Sequence, residues 1–135
     1  LSAWGTAIFE NDDAADYAAS IAEDSDLHQL ERTLDRTLAV GSGDLEAQDG
    51  SEALAAADIV ARLLGNWGIV DDYTANIDMW VKTVKLTPSA ILVTKARDSV
   101  KRVETEPSEL LELWAESDEL TAWKSSVDKL AQRLL

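Results

Sequence analysis

Ala3-Trp4-Gly5-Thr6-Ala7-Ile8-Phe9-Glu10-Asn11-Asp12-Asp13 is the stretch on which the fold of this chain turns. It sets Trp, Ile and Phe in a segment without helical period and then breaks into Asn-Asp-Asp. The pattern predicts an extended arm over residues 1–11, pinned to a helical body by Trp4, Ile8 and Phe9. Fully burying one such side chain is worth roughly 1.5–3 kcal/mol, and a terminus stays ordered only when something ties it down. Gly5 permits backbone angles that other residues avoid. Thr6 is placed to bond the local backbone. Asn11 is a good N-cap, and Asp12 and Asp13 fall in the first helical turn, where the macrodipole favours negative charge.

Outward from the arm, the chain reads as helix after helix. Ala14, Tyr17, Ala18 and Ile21 recur at the spacing of a buried stripe, predicting a first helix over 12–23. Ser25 is placed to cap a second over 26–40, with Leu27, Leu30, Leu34 and Leu38 on one face. Gly41 to Gly50 reads as a flexible surface loop. A third helix starts at Ser51 and carries Ala56, Val60, Leu63, Leu64 and Trp67; its Ala-rich start lets another helix come close. Gly65 and Gly68 end it. A fourth, over 72–84, is expected to bury Tyr73, Ile77 and Trp80. Thr87-Pro88 signals a fifth, running to Val103, and Pro107-Ser108 a short sixth through Trp114. A seventh, over 118–134, carries Leu120, Trp123, Val127, Leu130 and Leu134 in the narrow seam of helix-on-helix packing. That seam packs on the body or joins a second copy in a homodimer. The expected product is a single all-α domain over 1–135, of about six or seven helices, with the arm laid across it.

Composition narrows the function classes. A chain of 135 residues is one domain and can bury a core of its own. It has no cysteine, which excludes disulfides and thiol chemistry and fits a cytoplasmic location. No apolar run approaches the roughly 18 residues of a membrane helix, so no membrane partner is expected. The net charge of −14 argues against nucleic acid and anionic lipid. Positive charge collects in one island, Lys82, Lys85, Lys95, Arg97, Lys101 and Arg102. It either neutralises acidic neighbours or receives an anion.

Residues 2–12, Ser2-Ala3-Trp4-Gly5-Thr6-Ala7-Ile8-Phe9-Glu10-Asn11-Asp12, followed by Asp16-Tyr17, resemble the opening G-A-W-G-T-G-x-F-x-N-D of a bacterial family catalogued as a domain of unknown function, number 4259. Ser2 and Ala7 stand where that pattern has glycine. Ser108-Glu109-Leu110-Leu111-Glu112-Leu113-Trp114 and Trp123 are similar to the family's ending. The resemblance implies a shared fold and brings no assigned activity.

The sequence assigns no activity either. His28 is the single histidine, so neither a catalytic triad nor a two-His metal site can be assembled around it. No glycine loop for a nucleotide is present, and no cofactor is expected. Glu10, Asn11, Asp12, Asp13 and Asp16 gather oxygen ligands of the kind hard cations accept, although acids at a helix start are commonplace. Trp4, Trp67, Trp80, Trp114 and Trp123 suit core packing; one left exposed on an acidic surface suggests a binding hot spot. The leading expectation is a non-enzymatic, acidic domain that binds another protein, in one form an inhibitor or immunity-type protein masking a basic partner. Its candidate binding residues are Trp4, Gly5, Thr6, Glu10, Asn11, Asp12, Asp13 and Asp16. A carboxylate-based metal-binding protein or small-molecule enzyme is the alternative, and a structural homodimer a further one.

Overall fold

A computed structural model describes residues 3–135; Leu1 and Ser2, and with them the first position of the family pattern, lie outside it. Among the described residues there are seven helices and no sheet: α1 (Asp12–Ile21), α2 (His28–Ala39), α3 (Ala47–Leu63), α4 (Ala75–Val84), α5 (Ala90–Val103), α6 (Glu109–Ala115) and α7 (Leu120–Arg133). The chain is thus the all-α domain its periodicity predicts.

α3 is the hub, and its sequence explains why. Ala53, Ala55, Ala56, Ala57 and Ala61 are all fully buried, so small side chains cover every side of the helix. Neighbouring backbones can then approach closely, and α3 touches each of the other six helices. The helix begins at Ala47, four residues ahead of the expected Ser51, and Gly50 lies inside it. A glycine in a helix costs about 1 kcal/mol relative to alanine. Here a Cβ on Gly50 would stand 3.4 Å from the Leu110 side chain, an ordinary contact distance, so α6 packs close over this position without requiring glycine.

The segment ahead of α3 is shorter than the expected loop and is not loose. Leu45 is buried, donates from its backbone N–H to Pro107 O at 3.3 Å and accepts from Glu109 N at 2.9 Å. Arg102 donates to the carbonyls of Gly41, Gly43, Thr105 and Pro107. Lys95 pairs with Asp35 and Glu31 at 2.9 and 3.3 Å. Those two members of the basic island therefore act within the fold.

Local signals set some of the helix ends. Asn11 Oδ1 accepts from Ala14 N at 2.8 Å, and Ser89 Oγ from Leu92 N at 3.1 Å. α2 is started by Asp26, whose carboxylate accepts from His28 N at 3.0 Å, and not by Ser25. Gly65 ends α3 at φ +86°, a left-handed turn that suits glycine.

α7 buries Trp123, Val127 and Leu130 against the body, with Leu134 just beyond its end, and Trp123 stacks on Trp114 of α6 at 6.2 Å between ring centroids. The seam that offered a homodimer surface is occupied within the chain. Trp80 is also internal, its indole N–H donating to Asp24 O at 2.8 Å.

The N-terminal segment departs from expectation. It is a closed loop, not an extended arm: Ala3 pairs antiparallel with Asn11, Trp4 N donates to Glu10 O at 3.0 Å, and Glu10 N donates to Ala7 O at 3.1 Å. Ile8 and Phe9 are buried as predicted, whereas Trp4 is 46% exposed. Two anchors thus hold the loop to the body, and the third ring is left outside.

Candidate functional site

Phe9 leads to the part of the molecule that sequence periodicity does not reveal. Beneath its ring lies the guanidinium of Arg62, 5.4 Å from the centroid. Arg62 belongs to α3 and is only 2% exposed. An ion so deeply removed from water costs several kcal/mol unless paired, and this one is held on every arm. Nε donates to Asp58 at 2.7 Å, Nη1 to Asp78 at 2.6 Å, and Nη2 to Ile69 O at 2.7 Å. Asp58 also accepts two bonds from Arg133 of α7, at 2.8 and 3.1 Å. Asp78 accepts a second bond, from the Thr74 hydroxyl at 2.7 Å. Two carboxylates and two guanidiniums thus form a neutral buried cluster joining α3, α4 and α7.

The cluster fastens the α3–α4 connection as well as the helices. Ile69 O is tied to Arg62, Asn66 exchanges bonds with Arg133 in both directions, and Asp71 Oδ1 accepts from Tyr73 N and Thr74 N. Gly68 lies so close to the Arg133 guanidinium that a Cβ would meet it. Trp67 is laid over Arg62 at 5.8 Å, and Lys82 of α4 stands 5.7 Å from the same ring.

Above this floor opens a cleft of about 340 Å³. The N-terminal loop supplies Ile8, Phe9 and Glu10, the α3–α4 connection supplies Trp67, Ile69, Asp71 and Tyr73, and α7 supplies Ser126, Lys129 and Arg133. Trp4 stands beside it with its ring 5.8 Å from that of Tyr73 and tilted by 47°. Tyr73, expected inside α4, precedes that helix and is 63% exposed. Trp67, expected on the inner face of α3, is also exposed.

The sequence-predicted site residues divide between this cleft and the start of α1. Trp4 and Glu10 border the cleft. Glu10 Oε1 accepts from Ala7 N at 3.0 Å, and that carboxylate folds back over Gly5, where a Cβ would push it aside. Gly5 therefore gives room rather than an unusual backbone angle. Thr6 is half-buried, and among the described residues its hydroxyl makes no backbone bond. Asn11 is the cap of α1, and Asp12 and Asp13 occupy its first turn. Asp16 faces elsewhere, into a recess with Tyr17, Arg32, Arg36 and Glu52. The acids of the expected cation cluster do not converge: among the described residues no three His, Cys, Asp or Glu side chains are grouped to hold a metal ion.

Burial perturbs two groups outside the cleft. It pushes the Tyr17 hydroxyl, bonded to Thr33 at 2.7 Å, well above the usual tyrosine range. It also raises the Glu104 carboxyl to about 7, helped by the adjacent Asp128 carboxylate and opposed by Lys124. His28 is exposed beside Asp26.

Sequence reading missed the Arg62 cluster, although a signal was present. Asp58 and Arg62 stand four residues apart in Ala55-Ala56-Ala57-Asp58-Ile59-Val60-Ala61-Arg62-Leu63-Leu64, the only charges in that apolar run. Charges inside a helix buried all round must be paired.

Fold and site together define a small all-α domain with an aromatic cleft between its N-terminal loop and the α3–α4 connection, floored by a buried ion cluster. Over residues 2–126 the chain matches the family described as Domain of unknown function (DUF4259), and it belongs to that family. No curated protein and no solved structure matches it. Among the described residues no helix is long and apolar enough to cross a membrane.

Proposed function

We propose that this chain is a non-enzymatic protein-binding domain, and that its partner docks on the face formed by Trp4, Trp67, Ile69, Val70 and Tyr73. One observation carries this reading. The large apolar side chains left exposed among the described residues are concentrated there, with Met79 of α4 in addition, while only Ile91 and Leu135 are exposed elsewhere. Exposed apolar side chains grouped on one face, with polar residues around them, mark interaction sites, and Trp and Tyr are the residues that most often dominate binding energy. The face is also held rigid: its backbone is tied to Arg62 and Arg133, so little ordering remains to oppose association.

The net charge of −14 supports a basic partner, because opposite charge accelerates encounter and excludes acidic competitors. An inhibitor or immunity-type protein that masks a basic partner is one form of this reading. The test is capture from a native extract on immobilised chain, wild type against the double variant Ile69→Ser/Val70→Ser. A stoichiometric partner retained by the wild type, lost by the variant and weakened by salt is expected. Equal retention by both chains would remove the face from the proposal.

A further inference from the structure

The face does not present its rings equally. Trp67 already has two cations against it, Arg62 at 5.8 Å and Lys82 at 5.7 Å, and Phe9 has Arg62 at 5.4 Å. Among the described residues no cation stands over Trp4 or Tyr73. Those two rings lie 5.8 Å apart, tilted, and open to solvent. An aromatic face attracts a cation through its quadrupole, and the attraction grows as water is displaced.

The charges around the pair point the same way. Glu10 and Asp71 line the cleft with Tyr73, and Asp72 adjoins Tyr73 in the chain and is exposed. Asp71 uses Oδ1 on the Tyr73 and Thr74 N–H groups, while Oδ2 has no bonded partner among the described residues. Lys129, the cation of the cleft outside the buried cluster, comes from α7. The cleft thus takes its acids, Glu10 and Asp71, and its open ring, Tyr73, from the N-terminal loop and the α3–α4 connection, and Lys129 from α7.

Resting on the docking face proposed above, we infer that the Trp4–Tyr73 pair receives a guanidinium or ammonium side chain of the partner polypeptide, with Asp71 and Glu10 as counter-charges. The net charge of −14 brings such a group to the surface, and the open rings fix where it comes to rest.

The test uses a defined probe, the capped peptide Gly-Arg-Gly-Arg-Gly, titrated into the full chain while amide and indole N–H resonances are followed. Its control has citrulline in place of each arginine, the same shape without the charge. The arginine peptide is expected to shift the Trp4 indole and the amides of Asp71, Asp72 and Tyr73, and the control to leave them in place. Trp4→Leu and Tyr73→Leu keep an apolar side chain and delete the ring; each is expected to weaken the response about two- to fivefold. Asp71→Asn keeps the oxygen that caps Thr74 and removes the charge, and should weaken it similarly. Equal response to both peptides, or shifts spread over the acidic surface and unchanged in Trp4→Leu, would overturn the inference. If Ile69→Ser/Val70→Ser abolishes capture of the partner while the arginine peptide leaves Trp4 unmoved, the cation site is wrong and the docking face stands. If neither effect is seen, both fail.

Discussion

Replacing Arg62 with Met removes the charge at the centre of the buried cluster while keeping much of the side-chain volume. Three bonds go, to Asp58 at 2.7 Å, Asp78 at 2.6 Å and Ile69 O at 2.7 Å. They are not equal losses. Asp58 keeps both bonds from Arg133, and Ile69 is exposed, so water can take its carbonyl. Asp78 keeps only the Thr74 hydroxyl and is 4% exposed, so it becomes a buried charge without a counter-ion. Removing one partner of a buried pair costs about 3–5 kcal/mol, against a total of about 5–15 kcal/mol for a domain. Arg62→Met is therefore expected to lose about 3–5 kcal/mol in urea unfolding at pH 7, or about 10–20 °C in Tm. Adding Asp78→Asn neutralises the stranded carboxylate and should restore at least about 1 kcal/mol. Arg62→Lys keeps a charge but has no planar fork to reach Asp58, Asp78 and Ile69 O at once, so it should fall between wild type and Met. A loss below about 1 kcal/mol in Arg62→Met, or no recovery on adding Asp78→Asn, would refute the reasoning.

Other perturbations test separate parts of the structure. The folded-state carboxyl of Glu104 is raised from 4.5 to about 7, so the folded chain holds a proton that the unfolded chain releases. Its contribution is full below pH 4.5 and is lost as pH rises through about 7. Glu104→Gln should consequently gain on wild type as pH rises across that window, and a pH-independent difference between the two melts would contradict this. Asn11→Ala removes the cap of α1 and is expected to cost about 1 kcal/mol in chemical denaturation, with Asn11→Gly costing less; equal losses would argue against the side-chain cap. Gly5→Ala displaces the Glu10 carboxylate from Ala7 N and should cost about 1 kcal/mol or less, because a flexible side chain can yield. Its visible effect should be a shift of Trp4 fluorescence, and an unchanged spectrum would speak against the tight loop.

What was legible in the sequence was local. Asn11, Asp12 and Asp13 mark the start of α1 because a cap acts within three residues, and Leu30, Leu34, Val100, Val103, Val127 and Leu130 mark inward faces because each side chain recurs once per turn. What stayed hidden was long-range. The bond between Asp58 and Arg133 spans 75 residues, and no pattern in either helix names the other. Gly50 reads as a loop because its neighbours are polar, yet it lies inside α3 and packs against Leu110 on another helix. Trp67 and Tyr73 read as core because size and hydropathy are the same for a ring that packs inside and one that waits at the surface. The N-terminal pattern leads to the cleft through Trp4, Phe9 and Glu10, but its acids at Asp12, Asp13 and Asp16 belong to the helix and not to the cleft.

The most direct measurement is resonance mapping of the complex with the captured partner. Perturbed amides and indoles confined to Trp4, Glu10, residues 67–73 and Lys129 are the expected result. A footprint on α2 and α5, with Trp4 and Tyr73 unchanged, would contradict the assignment of the aromatic cleft as the docking surface.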